Sequence, residues 1–550
     1  MNSDPLLLAP SPSAYVYPLI VKQLLVNALR QHGDQQISYR TQVRYGYRDF
    51  HARVGKLANA LARLDVRPGN TVAVMDWDSH RYLESYFAVP MTGATLFTVN
   101  VRLSSAQIAY TLRDSEAEVL FVHEDFVPVI EQIHARLPGI RHIVVLSDTG
   151  STPACELPIT AEYEYLLSNE RADHDFPELD ENTRAVIFYT TGTTGDPKGV
   201  CYSHRHIVLH ALTTALSLCS PAHTQRLHRS DVYMPITPMF HVMGWGLPYI
   251  AIMLGMRIVL AGRYAPDMLL HLRERERVTF SHGVPTILQM LLAEAGKTGQ
   301  DLSGWKFMIG GSALSPGLCE AALARGMDVF TGYGMSETGP VVSLALSPAD
   351  GEPTSATENI KRRCATGKPP LLVDLRVVTE EMRDVPSDGT TPGEIVLRAP
   401  ALTPCYFKNP EASEALWRGG YLHTQDIAVM HPDGSVQIVD RLKDVIKTGG
   451  EWVSSIEVEG LITQIAGVRE VAVIGVPDEK WGERPMAFVV AADAVDADTV
   501  REHLLAQVRA KRLSAYAVPE PERIRFVSEI PRTSVGKINK KLLRETPPAG

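Results

Sequence analysis

Val54, Leu57, Ala58, Leu61 and Leu64 fall on one face of a helix, and the turn Arg67-Pro68-Gly69-Asn70 leads from it into the strand-like Thr71-Val72-Ala73-Val74-Met75. Strand-like and helix-like patterns alternate in this way from residue 37 to 125, which predicts α/β layering with helices packed on a sheet. Val186 to Tyr189 is an apolar run fit for a buried strand; it stops in hydroxyls and glycines and resumes as a short strand at Val200 to Tyr202. Ser203 is placed to cap a helix running to about Leu218. Phe307 to Ile309 reads as a strand ending in Gly310-Gly311-Ser312-Ala313, with Ser315 as the next cap and Pro316 at the first helical position. Val471 to Val476 is strand-like again. Residues 146 to 182 are polar, acidic and interrupted by prolines, so a loop is expected there, and no internal repeat appears.

The chain of 550 residues, 60.5 kDa, exceeds what one hydrophobic core usually supports, so at least two domains are expected. A net charge of −9 gives no electrostatic reason to expect nucleic acid as a partner. The six cysteines, at 155, 201, 219, 319, 364 and 405, form no C-x-x-C pair, so neither a disulfide framework nor a cysteine zinc site is indicated and a reducing cytoplasm fits best. The first residues lack the basic region of a secretory signal. The most membrane-like stretch, Val242 to Leu260, is broken by Pro248, Arg257 and glycines; a buried helix and strand explain it better than an integral membrane segment.

The residues from Thr190 to Gly199 have the make-up of a phosphate-holding loop. Its glycines let backbone approach an anion, its threonine hydroxyls donate hydrogen bonds, and Lys198 adds a point charge. The spacing of a Walker loop is absent, and by composition alone a Thr/Gly-rich surface loop explains the stretch equally well. His206 and His210 are spaced for one helical face, as a zinc site needs, but the glutamate of H-E-x-x-H is missing. Glu337, taken alone, is a surface acid, and the lysines near the end of the chain are ordinary solvated ones.

Taken in order, these segments resemble the adenylate-forming (AMP-binding) superfamily. Thr190-Thr191-Gly192-Thr193-Thr194 with Lys198 looks like its phosphate loop, with Thr191 where serine is commoner. Pro238-Met239-Phe240-His241 followed by Trp245 is similar to bacterial medium- and long-chain fatty acyl-CoA synthetases. The resemblance makes His241 and Trp245 acyl-pocket residues, Trp245 the gate of a fatty-acid tunnel, and Val242 a nucleotide contact. The same resemblance places Gly311 against adenine. Thr331-Gly332-Tyr333 with Ser336 and Glu337 matches a further family motif, with Tyr333 stacking on adenine, Ser336 on phosphate, and Glu337 and Thr190 on the magnesium side. Thr424-Gln425-Asp426 resembles the family's Thr-Gly-Asp, with Gln425 in place of glycine and Asp426 left to bind ribose. Asp440-Arg441-Leu442-Lys443 resembles the hinge, with Arg441 on ribose; Lys447 and Trp452 are further nucleotide contacts. Lys537 matches the lysine that meets the acyl carboxylate and α-phosphate during adenylation and is then withdrawn.

The resemblance therefore implies an α/β fold with a large multi-sheet N-terminal domain, residues 1–440, holding the ATP and acyl sites, and a small mobile α+β C-terminal domain, residues 441–550. It implies an ATP-dependent fatty acyl-CoA synthetase that joins a medium- or long-chain acid to CoA through an acyl-adenylate, with Thr190, Glu337 and Lys537 as catalytic residues and ATP, Mg2+ and CoA as cofactor or cosubstrates. Related ligases for methylthio-alkanoate, aryl or steroid side-chain acids, an acyl-AMP ligase to a carrier protein, a luciferase-like oxygenase and a non-catalytic binding protein remain alternatives. Partners expected are a small carboxylic acid, ATP, CoA and, as in many relatives, a second copy of the chain.

Overall fold

Thr71–Met75 is buried at every position, as expected of a parallel strand covered on both faces. In the structure, a computed structural model, it occupies the middle of a seven-stranded sheet ordered Ile159–Glu162, His142–Leu146, Ala117–His123, Thr71–Met75, Thr95–Thr98, Arg184–Thr190, Lys198–Ser203. Neighbours pair in parallel except the last two, which form an antiparallel hairpin with Thr190 opposite Lys198. The structure describes residues 8, 11–190, 196–221, 224–347, 355–448, 451–492, 494–532 and 538–545.

A second sheet of eight strands carries Phe280–Gly283, Lys306–Ile309 and Asp328–Tyr333 side by side in parallel. The helix His80–Met91 is buried at every residue because it touches strands of both sheets. Its cap is Ser79, which accepts from the Tyr82 N–H at 3.2 Å. The helix at Tyr47–Arg63 buries Val54, Leu57, Ala58 and Leu61 as its periodicity requires. Ser203 caps His204–Cys219, and Ser315 caps Pro316–Ala324.

An antiparallel sheet of Asp374–Val378, Pro392–Arg398, Leu422–Met430 and Val436–Arg441 follows. The next strand, Ile446–Thr448, belongs to a different five-stranded sheet whose long hairpin is Val468–Asp478 with Gly482–Ala491. That sheet has its own core, including Ile446, Val458, Ile462, Val473, Val489 and Leu504. The architecture is thus α/β with a large multi-sheet N-terminal region and a smaller C-terminal one. The change of sheet and core between Arg441 and Ile446 supports a division at 440/441, which we propose as the domain boundary.

Two expectations are corrected or refined. The segment expected as a loop, 146 to 182, contains the strand Ile159–Glu162 and the helix Tyr163–Ser168. Its short strand lies at the sheet edge, where one neighbour and half-burial suffice, so no strong alternation marks it in the sequence. The apolar stretch from Val242 becomes a tight turn, the helix Leu247–Leu254 and the strand Arg257–Leu260. Among the described residues no helix is long and apolar enough to cross a membrane.

Candidate active site

The candidate nucleotide residues converge at strand ends. Lys306–Ile309 and Asp328–Tyr333 are adjacent parallel strands, so Gly310-Gly311 and Gly332-Tyr333 leave the same edge of the sheet, the C-terminal edge at which α/β sheets bind ligands. Glycine at 310 is required by close approach: a Cβ there would lie 2.8 Å from both the Gly332 carbonyl oxygen and the Trp245 ring. Gly311 has φ +78°, a conformation glycine adopts without strain. Thr331 donates its hydroxyl to the Ala365 carbonyl and so anchors the strand end beneath Tyr333.

A chain of polar contacts runs from this edge to the antiparallel sheet. The Tyr333 hydroxyl donates to Asp426 Oδ2 at 2.7 Å, and Arg441 Nε lies 3.0 Å from Asp426 Oδ1. Asp426 is buried, while the Arg441 side chain is partly exposed. The Asp426 charge holds the Arg441 guanidinium above its ordinary pKa, and burial, with the Asp426 charge added, pushes the Tyr333 phenol up. Gln425, where the family prefers glycine, has φ +59°. This left-handed turn is held by its neighbours: the Gln425 N–H donates to Glu394 at 3.0 Å and its carbonyl accepts from Leu442 at 2.8 Å.

Glu337 is buried, and burial raises its pKa against the opposing hydrogen bond from Tyr406 and the charges of Arg441 and Lys198. The Tyr406 hydroxyl donates to its Oε1 at 2.7 Å, and Lys198 Nζ lies 5.0 Å from the centre of the Tyr406 ring. The backbone carbonyl of Ser336 accepts from the Tyr202 hydroxyl at 2.6 Å. Thr190 sits opposite Lys198 in the hairpin, its hydroxyl 3.5 Å from the Lys198 carbonyl oxygen. Thr191, Gly192, Thr193, Thr194 and Lys537 lie outside the described residues.

No group of three or more His, Cys, Asp or Glu residues among the described ones could hold a metal by itself. A lone buried carboxylate with a neighbouring hydroxyl suits magnesium, which prefers oxygen donors and completes its shell with waters and substrate phosphates. Zinc at His206 and His210 is not supported: among the described residues no further His, Cys, Asp or Glu joins the pair to complete a ligand set.

Beside the carboxylate lies a narrow apolar cavity of about 20 Å³. Its wall includes Phe188, His206, His210, Met243, Tyr249 and Pro340. Val242, expected at the nucleotide, is on this wall, whereas Trp245, expected as a gate, packs on His282 with ring centres 4.9 Å apart and planes tilted by 50°, and rests against Gly310. His241 is half-buried at the start of the same turn. The turn is left-handed: φ is +43° at Val242, +46° at Met243, +55° at Gly244 and +57° at Trp245. Such backbone costs roughly 1–2 kcal/mol per L-residue. It is held from outside: Met239 N–H donates to Asp78 at 2.7 Å, Thr98 to the Phe240 carbonyl at 3.3 Å, and Tyr86 to the Met239 carbonyl.

In the C-terminal sheet, Lys447 and Trp452 are cross-strand partners, with the ammonium 5.3 Å from the ring centre and the ring 41% exposed. That leaves an aromatic face open to a ligand. Burial lowers the pKa of Lys443, which lies between Arg441 and the first strand of this sheet. Tyr406, Tyr202 and Gly246 are site residues that sequence reasoning did not find, and His206 and His210, noted there only as a possible zinc pair, line the cavity instead. Their local sequence carries no motif, and only tertiary contact brings them to the site.

Comparison with known proteins identifies the family. The family description "AMP-binding enzyme" matches residues 25–407 and "AMP-binding enzyme C-terminal domain" matches residues 457–537. The chain is 40% identical to a long-chain-fatty-acid–CoA ligase of Thermus thermophilus over 91% of its own length and 89% of the relative's. It is 34% identical to a 3-methylmercaptopropionyl-CoA ligase of Ruegeria lacuscaerulensis over 96% and 97%. Among solved structures, that of the anthranilate CoA ligase AuaEII in complex with anthranoyl-AMP superposes with a TM-score of 0.84 at 27% identity, covering 96% of this chain and 98% of the other. The chain therefore belongs to the AMP-binding enzyme family, as one of its acyl-CoA ligases.

Proposed function

We propose that this ligase activates an aliphatic carboxylic acid of medium length, by adenylation on ATP and transfer to CoA. The supporting observation is that one short segment serves two sites: Glu337 faces the candidate phosphate side, while Gly339 and Pro340, two and three residues on, line the apolar cavity. A carboxylate held there has its oxygens beside the nucleotide and its chain in apolar surroundings. The Thermus relative's name supports a fatty acid, the name of a further relative, a medium-chain-fatty-acid–CoA ligase of Ectopseudomonas oleovorans, supports the shorter end of that range, and the apolar lining of the cavity suits an aliphatic chain.

A carboxylate is a poor acyl donor because oxide would have to leave. Attack of its oxygen on the α-phosphorus of ATP expels pyrophosphate and makes AMP the leaving group, and the CoA thiol then displaces AMP to form the thioester. Asp426 and Arg441 would hold the ribose, Tyr333 and the Gly310-Gly311 turn the adenine, and Lys198 with the threonine loop the phosphates. Lys537, by the resemblance, would meet the α-phosphate and carboxylate. Positioning both reactants in this way is worth roughly 7–11 kcal/mol of barrier. Magnesium, held through Glu337 and Thr190, would neutralise phosphate charge. Acid-dependent exchange of labelled pyrophosphate into ATP, measured over straight-chain acids from butanoate to hexadecanoate, tests the reading. The expected optimum lies among the medium chains, and a maximum at hexadecanoate contradicts it.

A further inference from the structure

Apart from Tyr202 and Tyr249, whose hydroxyls donate to the Ser336 and Tyr86 carbonyls, the cavity beside Glu337 has its polar side chains in two imidazoles. His206 and His210 are four residues apart on His204–Cys219 and so share a helical face. The backbone N–H of Ser203 donates to His206 Nδ1 at 3.1 Å, and that of Val341 donates to His210 Nε2 at 3.4 Å. A backbone amide is only a donor, so these two nitrogens are acceptors, and in the neutral rings the proton sits on His206 Nε2 and His210 Nδ1. Burial holds both rings neutral, down at about 4 for His206, where Arg205 adds to the effect, and about 3 for His210. Both rings line the cavity, and neither proton-bearing nitrogen has a hydrogen-bond acceptor among the described residues. His210 Nδ1 also abuts Gly246, where any Cβ would collide with it. A cavity of about 20 Å³ has room for about one water-sized group, so one oxygen fits where the two donors open.

Resting on the ligase reading above, we propose that the preferred acid carries an oxygen acceptor in its acyl chain, an oxo or hydroxy group received by His206 Nε2–H and His210 Nδ1–H, and is not a plain alkanoic acid. A hydrocarbon chain in this place leaves two buried donors unpaired, a cost a plain fatty-acid tunnel does not carry. A thioether sulfur, a weaker acceptor, should rank between the two.

The test compares kcat/KM for pyrophosphate release among 3-, 4- and 5-oxohexanoate, their methyl-branched isosteres, hexanoate and a thioether of equal length. The expected result is that one oxo acid exceeds its isostere by about tenfold, the worth of one or two hydrogen bonds. In His206→Leu that ratio should fall to about one; in His206→Gln, which keeps an N–H near the Nε2 position and a side chain suited to the helix start, part of it should survive. Thermal melts of both variants separate selectivity from unfolding. Hexanoate equalling every oxo acid, or a ratio unchanged in a folded His206→Leu protein, overturns the proposal while leaving the ligase reading intact; no pyrophosphate with any acid overturns both.

Discussion

The hydroxyl of Tyr406 donates to Oε1 of Glu337 at 2.7 Å, and this contact orients the buried carboxylate. Lys198 lies over the same tyrosine ring, so Tyr406 links the phosphate-loop lysine to the carboxylate. Tyr406→Phe keeps the ring under Lys198 and deletes only the hydroxyl. We expect the magnesium concentration giving half-maximal pyrophosphate release to rise about 3- to 10-fold, in line with losing a hydrogen bond to a charged group. Equal magnesium curves for the two proteins would show that Tyr406 does not position Glu337.

Asp426 is held between Tyr333 and Arg441, and the account gives it the ribose. Asp426→Asn retains the shape and removes the charge. ATP affinity, measured by titration calorimetry, should fall about 10- to 100-fold, with the KM for the acid changing much less. Unaltered ATP binding contradicts the ribose assignment.

Gly246 has φ +71° and no space for a Cβ against His210. Gly246→Ala should raise the KM for the acid and lower stability by about 1–3 kcal/mol, as overpacking does, with ATP binding retained. Gly304, at φ +74° with nothing within 4 Å of a built Cβ, supplies the control. Its alanine variant should show the smaller cost of backbone alone. Equal kinetic effects for the two variants would detach Gly246 from the acyl site.

Acid should destabilise the fold before carboxylates titrate fully. Burial depresses His204 and His206 to about 4 and His210 and His282 to about 3. In the unfolded chain a histidine titrates near 6.5. Below that pH the unfolded state binds more protons than the folded one, so the stability is present in full above about 6.5 and is lost as the pH falls towards the folded values. Each histidine contributes a slope of up to about 1.4 kcal/mol per pH unit. Urea midpoints measured from pH 7 to 4.5 should fall steadily; a flat profile contradicts neutral burial of these rings.

What the sequence made legible is what short-range chemistry encodes. The strand end at Ile309 and the caps at Ser203 and Ser315 announce themselves within a few residues, whereas Glu337 and Asp426 stand out only through the family motifs around them. Gln425 is instructive: it occupies a left-handed position without the glycine that would advertise it, held by Glu394 and Leu442 from other strands and turns. Tyr406 lies 69 residues from its partner Glu337, and Val341 lies 131 from His210, so neither contact has a local signature. The left-handed turn at Val242 was also hidden, because its sequence is apolar and β-branched, against the conformation it adopts, and only packing from Asp78, Tyr86 and Thr98 imposes it.

We propose that one site makes an acyl-adenylate and passes it to CoA. Pyrophosphate release and loss of the CoA thiol, followed in parallel with ATP, magnesium and a series of aliphatic acids, test it most directly. The account predicts that both signals appear only with acid present and rise in equal amounts. Pyrophosphate without thiol loss would contradict CoA as the acceptor, and neither signal with any acid of the series would contradict the ligase itself.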